Sequence, residues 1–187
     1  MLKVNILLVL FSLPIITIGP ALIAAFSVCL KMTDDSEGYV GRQFVKAFRS
    51  NLKQGIPLGI LFLFCCYVVY LDFEINRAMP EGSIMLIIFG ILACFIFGMS
   101  FIYAFALSAR YENTLVNTLK NSANIASRYF VQTIFLVVII AVEIFLFMFN
   151  STTLFFGILI GPTCIIFTIS GFAMKFFRII EAENKAE

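Results

Sequence analysis

Long apolar runs separated by short polar stretches set the pattern of this chain. The runs cover about 4–31, 54–76, 83–109, 129–149 and 153–177. Each is close to or above the roughly 20 residues that an α-helix needs to cross a bilayer core. The pattern predicts an all-α polytopic membrane protein with five transmembrane helices. The first run is too long for one straight span and contains Pro14 and the pair Gly19-Pro20. A kinked or two-part helix is expected there.

Two of the polar stretches are themselves periodic. In residues 39–53 the apolar positions Val40, Phe44, Phe48 and Leu52 recur every fourth residue. Arg42, Lys46, Arg49 and Lys53 follow the same helical spacing and cover an arc of about 60°. In residues 112–126, Leu115, Leu119, Ala123 and Ala126 form one side, and Asn113, Asn117, Asn121 and Asn124 form an uncharged polar side. Both stretches are predicted as amphipathic helices lying on the inner membrane surface. Each follows one span and leads into another, and Ile-Gly-Pro occurs in both the first and fifth runs, at Ile18–Pro20 and Ile160–Pro162. This is a weak internal repeat.

Composition supports lipid as the solvent. Hydrophobic residues make up 61% of the 187 positions, charged residues 13%, and the mean hydropathy is +1.04, far from soluble domains. The spans leave no length for a folded aqueous domain, so the chain is expected to be non-enzymatic, with no cofactor and no nucleic-acid partner. Five cysteines lie within apolar runs and the chain has no histidine. Zinc sites and Cys-His nucleophiles of the usual kind are therefore not expected. The first run is about twice the length of a signal-peptide apolar region and is expected to be retained.

Charge position orients the spans. Of 13 basic residues, 11 fall in the stretches 31–53 and 110–128 or after residue 174, while Lys3 and Arg77 fall on the other side. By the positive-inside rule the N-terminus is expected outside and the C-terminus inside.

Three groups of residues are candidates for a working site. Glu143 is the one charge deep within a span, where an ionised carboxylate is costly unless paired. It is either a proton or cation site, or a carboxyl hydrogen-bonded to a Ser, Thr or Tyr or reached by Arg77. Pro14, Thr17, Gly19, Pro20, Gly161 and Pro162 mark helix breaks whose freed carbonyls could coordinate a solute, or are packing kinks. The helix 39–53 either anchors to anionic lipid or docks a protein partner, with Glu37, Gly38, Arg42, Phe44, Lys46, Phe48, Arg49, Asn51 and Lys53 as the candidate docking set. Asn51 supports docking, because it falls on the apolar face, where lipid tails would penalise it.

Several strings carry a family likeness. Asn5–Pro14 (Asn-Ile-Leu-Leu-Val-Leu-Phe-Ser-Leu-Pro), Thr17-Ile-Gly-Pro-Ala21, Glu37-Gly38, Arg42-Gln-Phe44, Phe48-Arg-Ser-Asn51 and Lys53-Gln54 resemble the YesL-like family of bacterial membrane proteins, over about the first 55 residues. The resemblance implies a small multi-span plasma-membrane protein of unknown function, typically Gram-positive, associated with loci for ABC import of oligosaccharides and for glycoside breakdown. The expected layout also matches the core of type I ABC permeases in topology alone, and no Walker string is present. The first expectation is an accessory subunit of an ABC-type carbohydrate importer, with membrane lipid and the permease or ATPase subunits as partners. The alternatives are a self-contained small-solute carrier or channel, or a membrane-bound regulatory scaffold.

Overall fold

A computed structural model describes residues 1–34, 38–79 and 83–186, with side chains through residue 183. Among these, every regular element is helical. The order is α1 (Leu2–Ser12), a 3-10 turn (Ile15–Thr17), α2 (Ile18–Thr33), α3 (Val40–Ser50), α4 (Leu52–Ala78), α5 (Ile84–Phe101), α6 (Ala104–Arg110), α7 (Leu115–Arg128), α8 (Phe130–Met148) and α9 (Ser151–Ala186). Five stretches among the described residues are long and apolar enough to cross a membrane: Ile15–Thr33, Leu52–Ala78, Ile84–Arg110, Phe130–Met148 and Ser151–Glu183.

Local chemistry explains where the runs break. The first run divides at Pro14, which cannot continue α1. The Thr17 hydroxyl donates to the carbonyls of Phe11 and Pro14, both at 2.7 Å, and stitches the break. Gly19-Pro20 does not break anything. Pro20 sits in the first turn of α2, where an N–H has no intrahelical acceptor and its loss costs little. Pro162 likewise lies inside a continuous α9. The third run, expected as one helix, is instead interrupted at Ile102-Tyr103, where the Tyr103 N–H donates to Ser122 Oγ of α7 at 3.2 Å.

Two hairpins form the apolar body: α4 packs on α5, and α8 on α9. They are joined mainly through α2, α6 and α7 at the end where the charges gather. There Gln54 donates to Ser108 and Thr118 at 3.3 and 3.5 Å. Arg110 pairs with Glu181 at 3.0 Å, Arg128 with Glu183 at 2.9 Å, and Arg178 with Asp34.

The contact between α2 and α4 is made by backbone. A Cβ on Gly19 would lie 2.0 Å from the Gly55 carbonyl oxygen and 2.8 Å from the Gly59 Cα, and a Cβ on Gly55 would lie 2.8 Å from the Pro20 Cα. Small residues permit this approach, and larger ones would separate the helices. The first turn of α2 therefore rests on the first two turns of α4, while its other end, Asp34, meets Arg178 near the end of α9. Both ends of α2 thus sit at the charged end of the body, and α2 bridges the two hairpins.

The placement of α1 is set by its contacts with α3. Lys3 lines one concavity with Gly38, Tyr39, Val40, Gly41 and Arg42, and the Phe11 ring packs on Phe44 and Phe48 at centroid distances of 5.5 and 4.7 Å. So α1 lies beside α3, with Lys3 near Arg42. The first run divides at Pro14 into α1 and α2, in keeping with the expected two-part helix.

The glycine contact generates a stability test. Gly19→Ala should destabilise the detergent-solubilised protein by about 1–3 kcal/mol, the usual cost of overpacking. Gly41→Ala, whose Cβ meets nothing within 4 Å, should be close to neutral. Thermal exposure of the buried Cys29 to a thiol-reactive fluorophore reads both, and equal melting of the two variants would refute the contact's role.

Candidate functional site

A buried amide is built into the apolar body at Asn5, 3% exposed. Pro162 has no N–H, so the carbonyl one turn earlier, that of Ile158, has no helical donor. The Asn5 side chain supplies one. Its Nδ2 donates to the carbonyls of Ile158 at 3.0 Å and Leu159 at 2.7 Å, and its Oδ1 accepts from the Thr163 hydroxyl at 3.3 Å. In hydrocarbon an unsatisfied carbonyl is costly, so this clasp both fills the kink and fastens α1 to α9. Sequence reasoning missed Asn5. The available signal was a lone amide within the first apolar run, together with a mid-helix proline elsewhere needing a donor.

The proposed pair of broken-helix sites is not assembled. Gly19 and Pro20 face α4, whereas a Cβ on Gly161 would touch the Phe147 ring of α8 at 3.5 Å. Pro14 and Thr17 lie at the turn between α1 and α2, beside the exposed Leu13, Ile15 and Ile16. The carbonyls freed at Pro162 are already occupied by the chain's own amide.

Glu143 on α8 accepts a hydrogen bond from Thr168 of α9 at 2.6 Å, while its Oε2 is buried with no partner among the described residues. Arg77 does not reach it and pairs with Glu74 at 3.2 Å. A second embedded carboxylate was missed. Asp72 Oδ2 is also buried without a partner among the described residues. It lies against Gly90 of α5, where a Cβ would come within 2.3 Å of it. Because α4 continues to Ala78, Asp72 sits about as far from its helix end as Glu143 does from the end of α8.

Between the hairpins lies a cavity of about 560 Å³. Phe62 and Cys66 of α4, Cys94 and Gly98 of α5, and Pro162 and Ile166 of α9 form its walls, with Leu22 and Phe26 of α2 beneath. No charged side chain lines it.

At the charged end, the expected docking set divides. Arg42, Lys46, Arg49 and Lys53 are exposed. Phe44 is fully buried and Phe48 half-buried against Phe11, so these rings hold α3 to the body and present nothing outward. Asn51 is satisfied within the chain: its Nδ2 donates to the Ala47 carbonyl at 2.9 Å and to Ser50 Oγ at 3.2 Å at the α3–α4 junction. The argument that Asn51 needs a partner therefore fails. Gly38 is exposed and lies against the Gln43 amide, and Glu37 lies outside the described residues.

The second surface helix packs by a face that includes the expected one: Ala126 is buried, Leu115, Leu119 and Ala123 are partly buried, and Asn113, Asn117, Asn121 and Asn124 are exposed. The buried positions of α7 are Thr118, Ser122, Ile125 and Ala126, and two of them offer hydroxyls to Gln54 and to the Tyr103 N–H. A pocket of about 380 Å³ opens between α7 and the end of α9, lined by Asn113, Asn121, Asn124, Arg128, Tyr111 and Glu181. The Tyr111 phenol donates to Glu181. Burial first, then this hydrogen bond, hold its pKa up to about 12, so it stays a donor at neutral pH.

The fold is thus an all-helical chain with five helices long and apolar enough to span a membrane, the build of a multi-pass membrane protein. Residues 1–73, which run from α1 through most of α4, match the profile of a family described as a protein of unknown function, DUF624. That stretch contains every string on which the YesL-like resemblance rests. No curated protein and no solved structure matches the chain.

The clasp makes a specific prediction. Asn5→Leu leaves the Ile158 carbonyl without a donor and should cost about 1–3 kcal/mol. Adding Pro162→Ala restores a helical N–H and should recover part of that loss, a positive coupling in a double-mutant cycle. Strict additivity in thermal unfolding would show that Asn5 does not serve the proline kink.

Proposed function

We propose that this chain is a non-enzymatic accessory subunit of an ABC-type carbohydrate importer, held in the plasma membrane and docking through its charged end on the permease or ATPase subunits. One observation carries the docking reading. The apolar side of α3 is buried against the chain's own Phe11, so α3 does not need lipid tails to cover it. Its cations Arg42, Lys46 and Arg49 line a shallow concavity together. They form a rigid basic surface, which suits an acidic protein surface. The carbohydrate importer enters through the YesL-like resemblance alone.

The charged end faces the cytoplasm in this reading. This reading counts Lys3, beside Gly38 to Arg42, with the inner basic residues, which leaves Arg77 at the opposite end among the described residues and suits the positive-inside asymmetry. Both termini are then inside, α1 and α2 form a re-entrant pair, and α4, α5, α8 and α9 cross. The carrier reading loses support because the kinked helices do not share a site and Asn5 fills the carbonyls at Pro162.

Orientation is read by single cysteines in a cysteine-free chain. Lys3→Cys should react with an impermeant reagent only after the inner face is opened, and Arg77→Cys should react in intact cells. Labelling of Lys3→Cys from outside restores an outer N-terminus.

Docking is read by replacing Arg42 and Arg49 with glutamine. Membrane insertion should persist, while recovery of importer subunits in mild detergent should fall about tenfold or more, as expected when charge pairs at an interface are removed. Undiminished recovery removes α3 as the docking element, and recovery of no importer subunit by the unaltered chain removes the importer assignment.

A further inference from the structure

We infer that the pocket between α7 and the end of α9 binds the adenine base of a small uncharged nucleoside, read by side-chain amides over an aliphatic floor. Its volume is about 380 Å³, and small-molecule sites occupy roughly 300–1,000 Å³. The pocket lies at the charged end of the body, so its ligand arrives from water and not from the bilayer.

The first support is unused polarity on the rim. Asn113, Asn121 and Asn124 line the pocket, and their side-chain amides make no hydrogen bond among the described residues. The side chains of Asn5, Asn51, Asn76 and Asn150, by contrast, each bond the chain's own backbone. Asn121 and Asn124 are three residues apart on α7 and share one face.

The second support is the state of the charges. Arg128 on the rim is paired with Glu183 at 2.9 Å. Glu181 is paired with Arg110 at 3.0 Å and accepts from the Tyr111 phenol. The formal charges at the pocket are thus offset within the chain, and the free polar groups are all neutral amides. A phosphate or an ammonium group finds no spare counter-ion there.

The third support is the floor. Leu107 and Ile125 are buried, and with Ile180 they give the pocket an aliphatic base. A ligand seated on it has to present an apolar face, and the amides ask for a donor and an acceptor side by side on its edge. A nucleobase is uncharged and has both. Among the purines a carboxamide suits adenine, whose N7 accepts while its N6 amino group donates. Guanine offers two acceptors, N7 and O6, and calls for Arg or Lys. The arginines here are held by carboxylates, so adenine is the base that the free groups fit. This inference is independent of the importer reading.

Equilibrium dialysis of the full chain in nanodiscs against labelled adenosine reads the site. Binding should saturate at one nucleoside per chain. Replacing Asn121 and Asn124 together by leucine should weaken it by about tenfold or more. The pair of alanine substitutions, Asn121→Ala with Asn124→Ala, should do the same and guards against a folding defect in the bulkier variant. Asn117→Leu, on the same helix but off the pocket, should leave binding unchanged. Guanosine should bind about tenfold more weakly than adenosine, AMP no more tightly, and glucose should fail to compete. Absence of saturable adenosine binding overturns the inference and leaves the amides as a solvated helix face. Adenosine binding that both double variants retain overturns it, as does an equal loss in Asn117→Leu. Equal binding of guanosine, competition by glucose, or tighter binding of AMP also overturns it.

Discussion

The rest of the structure depends on the close crossing of α2 and α4, where Gly19, Gly55 and Gly59 bring backbone against backbone. In a bilayer the apolar effect does not drive helices together, because lipid tails are as apolar as the side chains, and close van der Waals packing has to do so. A crossing without side chains between the axes gives α2 a fixed seat at the start of α4. From that seat α2 reaches across to Arg178 on α9, and the two hairpins acquire their relative position.

A second constraint is that every backbone group in hydrocarbon needs a partner within the protein. Three irregularities are each answered by one side chain from a distant part of the chain or from the turn itself. Asn5 serves the carbonyls at the Pro162 kink, Thr17 those at Pro14, and Ser122 the Tyr103 N–H. The polar residues in the apolar body thereby fasten helices to each other. Asp72 and Glu143 stand apart from this pattern, since each keeps one buried oxygen without a partner among the described residues.

These two constraints produce an uneven molecule. The charged end is knit by α1, α2, α3, α6 and α7 and by three ion pairs between elements. The far halves of α4, α5, α8 and α9 are largely exposed and stand apart around an apolar cleft. A basic face on α3 and an amide-lined pocket beside α7 look outward from the knit end. The basic face and the cleft both lie open among the described residues.

Helix identity was legible in the sequence because hydropathy and the placement of prolines are local. The apolar runs, the helices in the two polar stretches, the division of the first run and the exposed row Arg42, Lys46, Arg49 and Lys53 follow from residue spacing, as does the membrane class from composition. What the spacing could not carry was direction and partner. A run of 28 apolar residues that divides at Pro14 does not say what its first part packs on, and only the tertiary structure sets Lys3 beside Arg42. Phe44 and Phe48 read as an apolar stripe without saying whether lipid, a partner or Phe11 covers it. Asn51 looked unsatisfied until the α3–α4 junction supplied Ala47 and Ser50. Asn5 and Pro162 are separated by most of the chain. The need of a proline-freed carbonyl is local, but the donor that meets it is chosen by three-dimensional packing.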